Sequence, residues 1–215
     1  EGDSAAGPAK QARDSRVQAI LPIRGKIINV HKVTENRALQ NDEISARIKA
    51  LGTGIKLQFN EEESRYDKII FLTDADVDGA HIRTLLLTFF FKFMPGLITS
   101  GKVWISEPPL YRVKASSGIT YLKDDEALNK FKKENKNKKF DISRFKGLGE
   151  MNPEELWETT LNPDNRTMLK VQYTKGTKDK SKEDQKMIKV LMGDEVAPRK
   201  DFITNNALEV VNLDI

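Results

Sequence analysis

The sequence predicts an α/β fold in which a parallel sheet is flanked by helices and followed by a mostly helical tail. Residues 68–73 (KIIFLT) form a short apolar run typical of a strand buried on both faces. Residues 80–94 (AHIRTLLLTFFFKFM) indicate a long, largely buried helix, and residues 102–106 (KVWIS) indicate a second strand. Strand, helix and strand within about 40 residues make a βαβ unit, for which a right-handed parallel crossover is the default.

The segments before this unit carry weaker signals. Residues 1–14 (EGDSAAGPAKQARD) are rich in small residues, glycine and proline, and predict a tight loop running into a helix. Residues 17–30 (VQAILPIRGKIINV) predict two strands joined by a turn. Residues 41–51 (NDEISARIKAL) predict a helix with an Asn or Asp cap, ended by Gly52.

The apolar helix is predicted to begin at Asp78 or Gly79 and to stop at Pro95. Beyond it the composition shifts, which places a domain boundary near residue 115, with domains 1–115 and 116–215. In the tail, residues 123–139 form a basic, helix-prone run. Residues 152–161 (NPEELWETTL) start like a helix, with an Asn cap, Pro at the first position and two Glu in the first turn. A last helix is predicted around residues 198–207.

Size and composition restrict the class of protein. The 215 residues suffice for one large domain or two small ones. A net charge of +4 permits an anionic partner without requiring one. The absence of cysteine excludes disulfides and thiolate metal sites and is typical of a reducing compartment. No apolar run approaches the ~20 residues that span a bilayer. We therefore expect a cytoplasmic protein without membrane contact, and a fragment, because the chain starts without Met.

The strongest chemical signal is the segment FLTDADVDGAHIR, residues 71–83. Asp74, Asp76 and Asp78 alternate between the predicted strand and the apolar helix. Each ionised carboxylate raises the cost of ionising its neighbours, so the arrangement is unfavourable unless a positive charge lies among them. This pattern favours a divalent-metal site for phosphodiester chemistry, because Mg²⁺ prefers oxygen ligands at a strand end.

Three other interpretations compete with it. A calcium loop is excluded, because position twelve is Leu85 rather than Glu and a strand precedes the loop. A phosphatase of the haloacid-dehalogenase type would use the first Asp as nucleophile. The third aspartate is surplus to that mechanism, and Asp78 stands where Thr is usual. A solvated acidic turn also stays open, although buried segments on both sides disfavour it.

Four motifs occur in one order: EGDSA at residues 1–5, TDADVDGAHIRTLLLTFFF at 73–91, EPPLYRV at 107–113 and RFKGLGEMNPEELWETTLNP at 144–163. Together they resemble the B subunit of bacterial type IIA DNA topoisomerases, over its Toprim (Rossmann-like) domain and the tail behind it. The segments HIRTLLLTFFFKFMP and LEVVNLDI resemble the gyrase branch of that family more than the topoisomerase IV branch. Ala6, Pro8 and Ala12 depart from the Gly, Ser and Gly usual in the first motif.

The resemblance implies a set of catalytic metal ligands. Glu1 and Asp74 would hold one Mg²⁺, Asp74 and Asp76 a second, and Asp78 would support them; Mn²⁺ would substitute. The family cleaves double-stranded DNA with a tyrosine of the partner A subunit, in an A2B2 heterotetramer. ATP would bind only through domains that this sequence lacks. The resemblance thus implies half of an active site.

The resemblance also implies DNA contacts. PIRGKIIN, residues 22–29, is similar to the family's PLRGKILN turn, which implies that Arg24, Lys26 and Asn29 approach phosphates. His81 would touch DNA or cap the helix. Lys146 lies in a glycine-flanked loop that permits close backbone approach, and Arg199 is a further candidate. The basic run 130–139 is either a solvated face or a DNA-binding stripe. A stand-alone phosphatase or nuclease and a DNA-holding scaffold are the rival functions.

Overall fold

The structure, a computed structural model, describes residues 2–173 and 178–209, apart from the side chains of Asp3 and residues 178–181. The chain forms two compact units whose segments interleave. Unit 1 comprises Glu1–Gly25, Ile70–Ala80 and Trp104–Leu169, and unit 2 comprises Lys26–Ile69, His81–Val103 and Lys170–Ile215, each in its described part. Because both units draw segments from either side of residue 115, the boundary there stays a prediction.

The strands form two small sheets. One has the order β1–β2–β6, built from β1 (Ile69–Phe71), β2 (Val103–Ser106) and β6 (Met168–Lys170). In the other, β3 (Tyr111–Ala115) lies between β4 (Gly118–Leu122) and β5 (Phe140–Arg144) and is antiparallel to both. The two strands predicted from KIIFLT and KVWIS are confirmed and are neighbours. The hairpin and its third strand were not predicted, although YRVKA and FDISR alternate apolar and polar residues as half-buried strands do.

Helices make up most of the remaining regular structure. They are α1 (Gly2–Ala12), α2 (Glu35–Leu39), α3 (Asp42–Leu51), α4 (Val77–Phe93), α5 (Pro95–Thr99), α6 (Asp125–Glu134), α7 (Pro153–Leu156), α8 (Lys178–Met192) and α9 (Val196–Asn205). A π-helical turn, Trp157–Leu161, continues α7. The predicted α/β class is confirmed. Within the described residues, no helix has both the length and the apolarity needed to cross a bilayer.

Several helix signals worked as expected. The Asn41 side chain accepts a hydrogen bond from the backbone N–H of Ile44, and Gly52 ends α3 with a φ of 80°. Asn152 and Glu155 form a capping box at α7. Helix α4 begins at Val77, slightly earlier than predicted. Pro95 ends it and also starts α5, because proline suits the first helical position.

Two predictions were wrong. Helix α1 already begins at Gly2, where a loop was expected, and includes Pro8. Its small residues form a packing face, since Ala5 is buried with Leu148 and Leu156. Residues 17–30 form no strand.

The two strands were wrongly predicted for residues 17–30 because apolar residues can be buried without forming hydrogen bonds to a neighbouring strand. Ile23, Ile27 and Val30 are buried, as the apolar pattern indicated. Pro22 lacks a backbone N–H, and Gly25 adopts a φ of 74°, so this stretch does not make a regular ladder.

Candidate metal-binding site

The acidic segment lies in unit 1 and joins β1 to the first turn of α4. Asp74 is half-buried and follows the buried Thr73, whereas Asp76 and Asp78 are exposed. The chain therefore presents one partly enclosed carboxylate and two solvent-facing ones at the start of a helix. This is the strand-end position that the sequence predicted for the cluster.

Asp76 has a structural role at the helix start. Its Oδ1 accepts a hydrogen bond of 2.7 Å from the backbone N–H of Gly79, and its carbonyl accepts one from Ala80. Asp76 is therefore the N-cap of α4, and its negative charge lies at the positive end of the helix dipole. Gly79 is buried, and a Cβ there would collide with the backbone carbonyl oxygen of Asp74. The glycine of the DADVDG motif thus lets the first helical turn pack against Asp74.

The KGLGE loop fixes the Asp74 carboxylate. The backbone N–H of Leu148 donates to Asp74 Oδ1 over 2.8 Å. A Cβ on Gly147 would lie only 2.5 Å from Asp74 Oδ2. Gly147 has a φ of −166°, an extended conformation open to any residue, so the carboxylate and not the backbone angle requires glycine here. The close approach predicted for this loop is therefore made to the acidic segment.

The first turn of α1 packs against the same loop. A Cβ on Gly149 would lie at ordinary contact distance, 3.4 Å, from Ser4 Oγ. Ala5 and Leu148 share a hydrophobic cluster, against which the half-buried Leu72 packs just before Asp74. Glu1, the predicted ligand that precedes this helix, lies outside the described residues. What unit 1 does bring together is the start of α1, the KGLGE loop and the acidic segment.

Among residues 2–173 and 178–209, setting aside the undescribed side chains, no three His, Cys, Asp or Glu side chains converge to hold a metal ion. The aspartate triplet therefore does not enclose a cation unaided. Its donors are nevertheless of the right kind, because carboxylate oxygens are the hard ligands that Mg²⁺ and Mn²⁺ prefer. Mg²⁺ is commonly bound by one or two carboxylates and takes its other ligands from water and phosphate.

Some of the predicted DNA ligands are exposed, and others form hydrogen bonds to the protein itself. Arg24, Lys26 and Lys146 are exposed, and the backbone N–H of Lys146 donates to Glu150. His81 is also exposed, in the second turn of α4. The alternative that His81 caps this helix is wrong, because Asp76 does so.

Asn29 and Arg199 bond within unit 2. Asn29 Nδ2 donates to the Met192 carbonyl over 2.9 Å, and its Oδ1 accepts from the backbone N–H of His31. Arg199 Nη1 donates to the carbonyls of Leu191 and Gly193 over 3.1 and 2.9 Å. Both side chains therefore stabilise the C-terminal end of α8. Their assignment as DNA ligands stays a prediction.

Lys92 holds the residues that follow Asn29. Its Nζ donates to the carbonyl of Val30 and, over 3.3 Å, to that of Val33. Burial lowers the pKa of Lys92, and the positive charge of Lys56 lowers it further. Sequence reasoning missed this lysine, because a single Lys in an apolar helix carries no pattern that identifies its partner.

Comparison with known proteins gives the family. A family model described as the Toprim domain matches residues 1–108, about half of the chain. The chain belongs to the Toprim family. Its acidic segment and α1 therefore lie within a Toprim domain, a domain of a metal-binding type. A second family model, described as the carboxyl terminus of the DNA gyrase B subunit, matches residues 137–204.

The full length of the chain is similar to curated proteins named as B subunits of DNA gyrase. It is 51% identical to the protein of Thermotoga maritima, 53% identical to that of Mycoplasma genitalium and 54% identical to that of Halalkalibacterium halodurans. Each alignment covers all of this Toprim-containing chain. The chain spans about a third of the length of these relatives, 33%, 32% and 33% respectively. The resemblance inferred from the four motifs is confirmed.

Proposed function

We propose that this chain supplies the metal-binding half of a DNA breakage–reunion site of the gyrase type. A partner A subunit would supply the nucleophilic tyrosine. The observation that carries the proposal is the Asp74 carboxylate, held at the end of β1 by the Leu148 N–H and by the glycine contact of the KGLGE loop. An aspartate positioned by two separate motifs is suited to bind a cation at a fixed place.

The donor set fits Mg²⁺, with Mn²⁺ as a substitute. Asp74 would be the central ligand, Glu1 and Asp76 would complete the two ion sites, and Asp78 would support them. When bound, Mg²⁺ offsets negative charge on the scissile phosphate and on the oxygen that leaves. The position of Glu1 directly before α1 supports its inclusion, because the first turn of that helix packs on the loop that holds Asp74.

The remaining residues of the chain would bind and orient the substrate. Arg24 and Lys26 flank a glycine turn and are exposed, which suits contacts to backbone phosphates. Lys146 and His81 are exposed too and extend the candidate DNA contacts. We place the protein in the cytoplasm, where it would act on double-stranded DNA in an A2B2 assembly. ATP would bind to parts of the whole protein beyond this third of its length.

The test combines this chain with a gyrase A subunit, Mg²⁺ and supercoiled plasmid, and traps covalent protein–DNA product with denaturant. We expect product only when both proteins and the metal are present. Asp74→Asn should reduce the product about a hundredfold or more, because it removes the charge of the central ligand. Asp67→Asn, which alters an exposed aspartate away from the cluster, is the matched control.

Two results would contradict the proposal and identify a rival. Turnover of small phosphate esters by the chain alone, lost in Asp74→Asn, would indicate a stand-alone phosphatase. A scaffold would be indicated if DNA binding were unchanged by metal removal and by Asp74→Asn and no covalent product formed under any condition.

A further inference from the structure

A basic groove lies in unit 1, built from elements outside the acidic segment. It is an open depression of about 750 Å³ between the tip of the β3–β4 hairpin and the residues that enter β5. Its charged lining residues are Lys114, Lys138, Lys139 and Asp141. Three lysines against one aspartate give the groove a net positive charge. None of these residues has a part in the proposed cleavage chemistry.

The fold brings these lysines together from distant positions in the sequence. In the β3–β5 ladder Lys114 lies opposite Asp141, and Ala115 lies opposite Phe140. Lys138 and Lys139 come immediately before Phe140, at the end of the ladder where the hairpin tip lies. Lys114 is far from the basic run 130–139 in sequence, so composition alone did not connect them. The end of the basic run, Lys138 and Lys139, is thus part of a shaped surface, whereas the lysines of α6 lie outside the groove.

The lysines are available for an external anion. All three are exposed, and within the described part of the chain none of their ammonium groups forms an ion pair. Asp141 offsets only one of the three like charges around this depression, so mutual repulsion among the lysines remains. An anionic ligand removes this repulsion and gains several charge-assisted hydrogen bonds.

The groove suits phosphates rather than bases. Its aromatic lining residue, Phe140, is half-buried and packs edge-on against Phe131 at 5.4 Å, as part of the cluster around Leu128. It is not free to stack on a nucleobase, which single-strand binding without sequence preference requires. The Ser116 hydroxyl adds a donor of the kind that contacts phosphate oxygens.

We propose that this groove binds the sugar–phosphate backbone of duplex DNA, without reading its sequence, as a contact separate from the cleavage site. The choice of DNA as the polyanion rests on the proposed function, whereas the groove and its charge do not. Its role is to hold DNA, and its loss would weaken binding without removing the chemistry at Asp74.

The test measures binding of a 40-base-pair duplex to the 215-residue chain by fluorescence anisotropy, in EDTA and without an A subunit. The variant Lys114→Gln/Lys138→Gln/Lys139→Gln should bind about tenfold more weakly in 100 mM salt. The slope of log K against log salt should fall by about one for each lysine removed. The control Lys130→Gln/Lys132→Gln/Lys133→Gln removes the same charge from exposed positions of α6.

Equal losses in the two triple variants would overturn the proposal, because net charge alone would then explain the binding. An acidic polypeptide offers the other test. If poly-glutamate displaces the duplex at equal charge concentration, and loses affinity with the groove lysines as the duplex does, the groove recognises an acidic protein segment instead, which also overturns it. Folding is checked by urea unfolding, which should be unchanged because the altered side chains are exposed.

The outcome is separable from that of the proposed function. Asp74→Asn should reduce covalent product about a hundredfold or more and keep groove-dependent duplex binding. The groove variant should keep covalent product at saturating duplex concentration. Each experiment tests one proposal independently of the other. Duplex binding in EDTA tests the groove, and covalent product formation with Mg²⁺ tests the cleavage site.

Discussion

Gly147 lies so close to the carboxylate of Asp74 that a single added carbon would reach within 2.5 Å of Oδ2. The neighbouring N–H of Leu148 holds the other oxygen of the same carboxylate at 2.8 Å. Two motifs that are 74 residues apart in sequence therefore form one local structure. This relationship assigns the KGLGE loop a role in positioning the central acidic group.

We predict that Gly147→Ala displaces the Asp74 carboxylate. Mg²⁺ affinity, measured by isothermal titration calorimetry, should fall about 10- to 100-fold, the usual effect of disturbing a group that orients a ligand. Gly149→Ala is the control in the same loop, because its Cβ would make only ordinary contacts of 3.4 Å or more. Equal Mg²⁺ affinity in both variants would show that the contact does not position the ligand.

Two substitutions of Asp76 distinguish its role as a helix cap from the role of its negative charge. Asp76→Asn keeps an oxygen that can accept from the Gly79 N–H, so the free energy of unfolding in urea should stay close to that of the parent. Asp76→Ala should lose about 0.5–2 kcal/mol, because the cap is removed. Both should impair cleavage with the A subunit, since both remove a carboxylate. Full cleavage by Asp76→Asn would remove Asp76 from the proposed ligands.

Arg199 is predicted to stabilise the fold more than it binds DNA. Arg199→Ala should lower the free energy of unfolding by about 1–3 kcal/mol, because it removes a charged donor from two carbonyls at the end of α8. Lys200→Ala removes the same charge from an exposed neighbour and should change stability little. If only the salt dependence of DNA binding changed in Arg199→Ala, the phosphate-contact interpretation would be the correct one.

Lys26 and Asn29 should differ in DNA binding although they belong to one turn. Lys26→Ala should reduce the slope of log K against log salt by about one, as expected for a lost phosphate contact. Asn29→Ala should leave that slope unchanged and instead reduce stability, because its amide bonds to Met192 and His31. Asn36→Ala, an exposed position on α2, is the stability control. An unaltered slope in Lys26→Ala would remove Lys26 from the contacts.

We expect Asp14 to contribute to the loss of folding stability at acid pH. Hydrogen bonds from the Arg16 side chain and backbone lower the pKa of Asp14 to about 2. Because its folded pKa lies below the unfolded value, the unfolded chain takes up its proton first on acidification. The stabilisation is present above pH 4 and is lost as the pH falls towards 2.

Urea unfolding midpoints measured from pH 5 to pH 2.5 check this effect. Asp14→Asn should flatten the acid limb, whereas Asp67→Asn should retain it. An identical pH dependence in Asp14→Asn and the parent chain would contradict the assignment.

Much of the fold follows from local signals. The strand KIIFLT, the apolar helix behind it, the Asn41 cap and the Asn152 capping box all act within a few residues, so the sequence indicates them directly. The stretch 17–30 shows where this fails. Ile23, Ile27 and Val30 are buried, but the apolar pattern did not take into account Pro22 and the positive φ of Gly25, which oppose strand pairing.

The sequence by itself determined the acidic segment, its place between strand and helix, and the order of the four motifs. These features depend on residue type and short spacing. Only the tertiary structure decided which backbone holds Asp74, which carbonyls engage Asn29 and Arg199, and which lysines line the basic groove. Such contacts join residues far apart in the chain, and their partners are selected by packing of the whole unit rather than by any local preference.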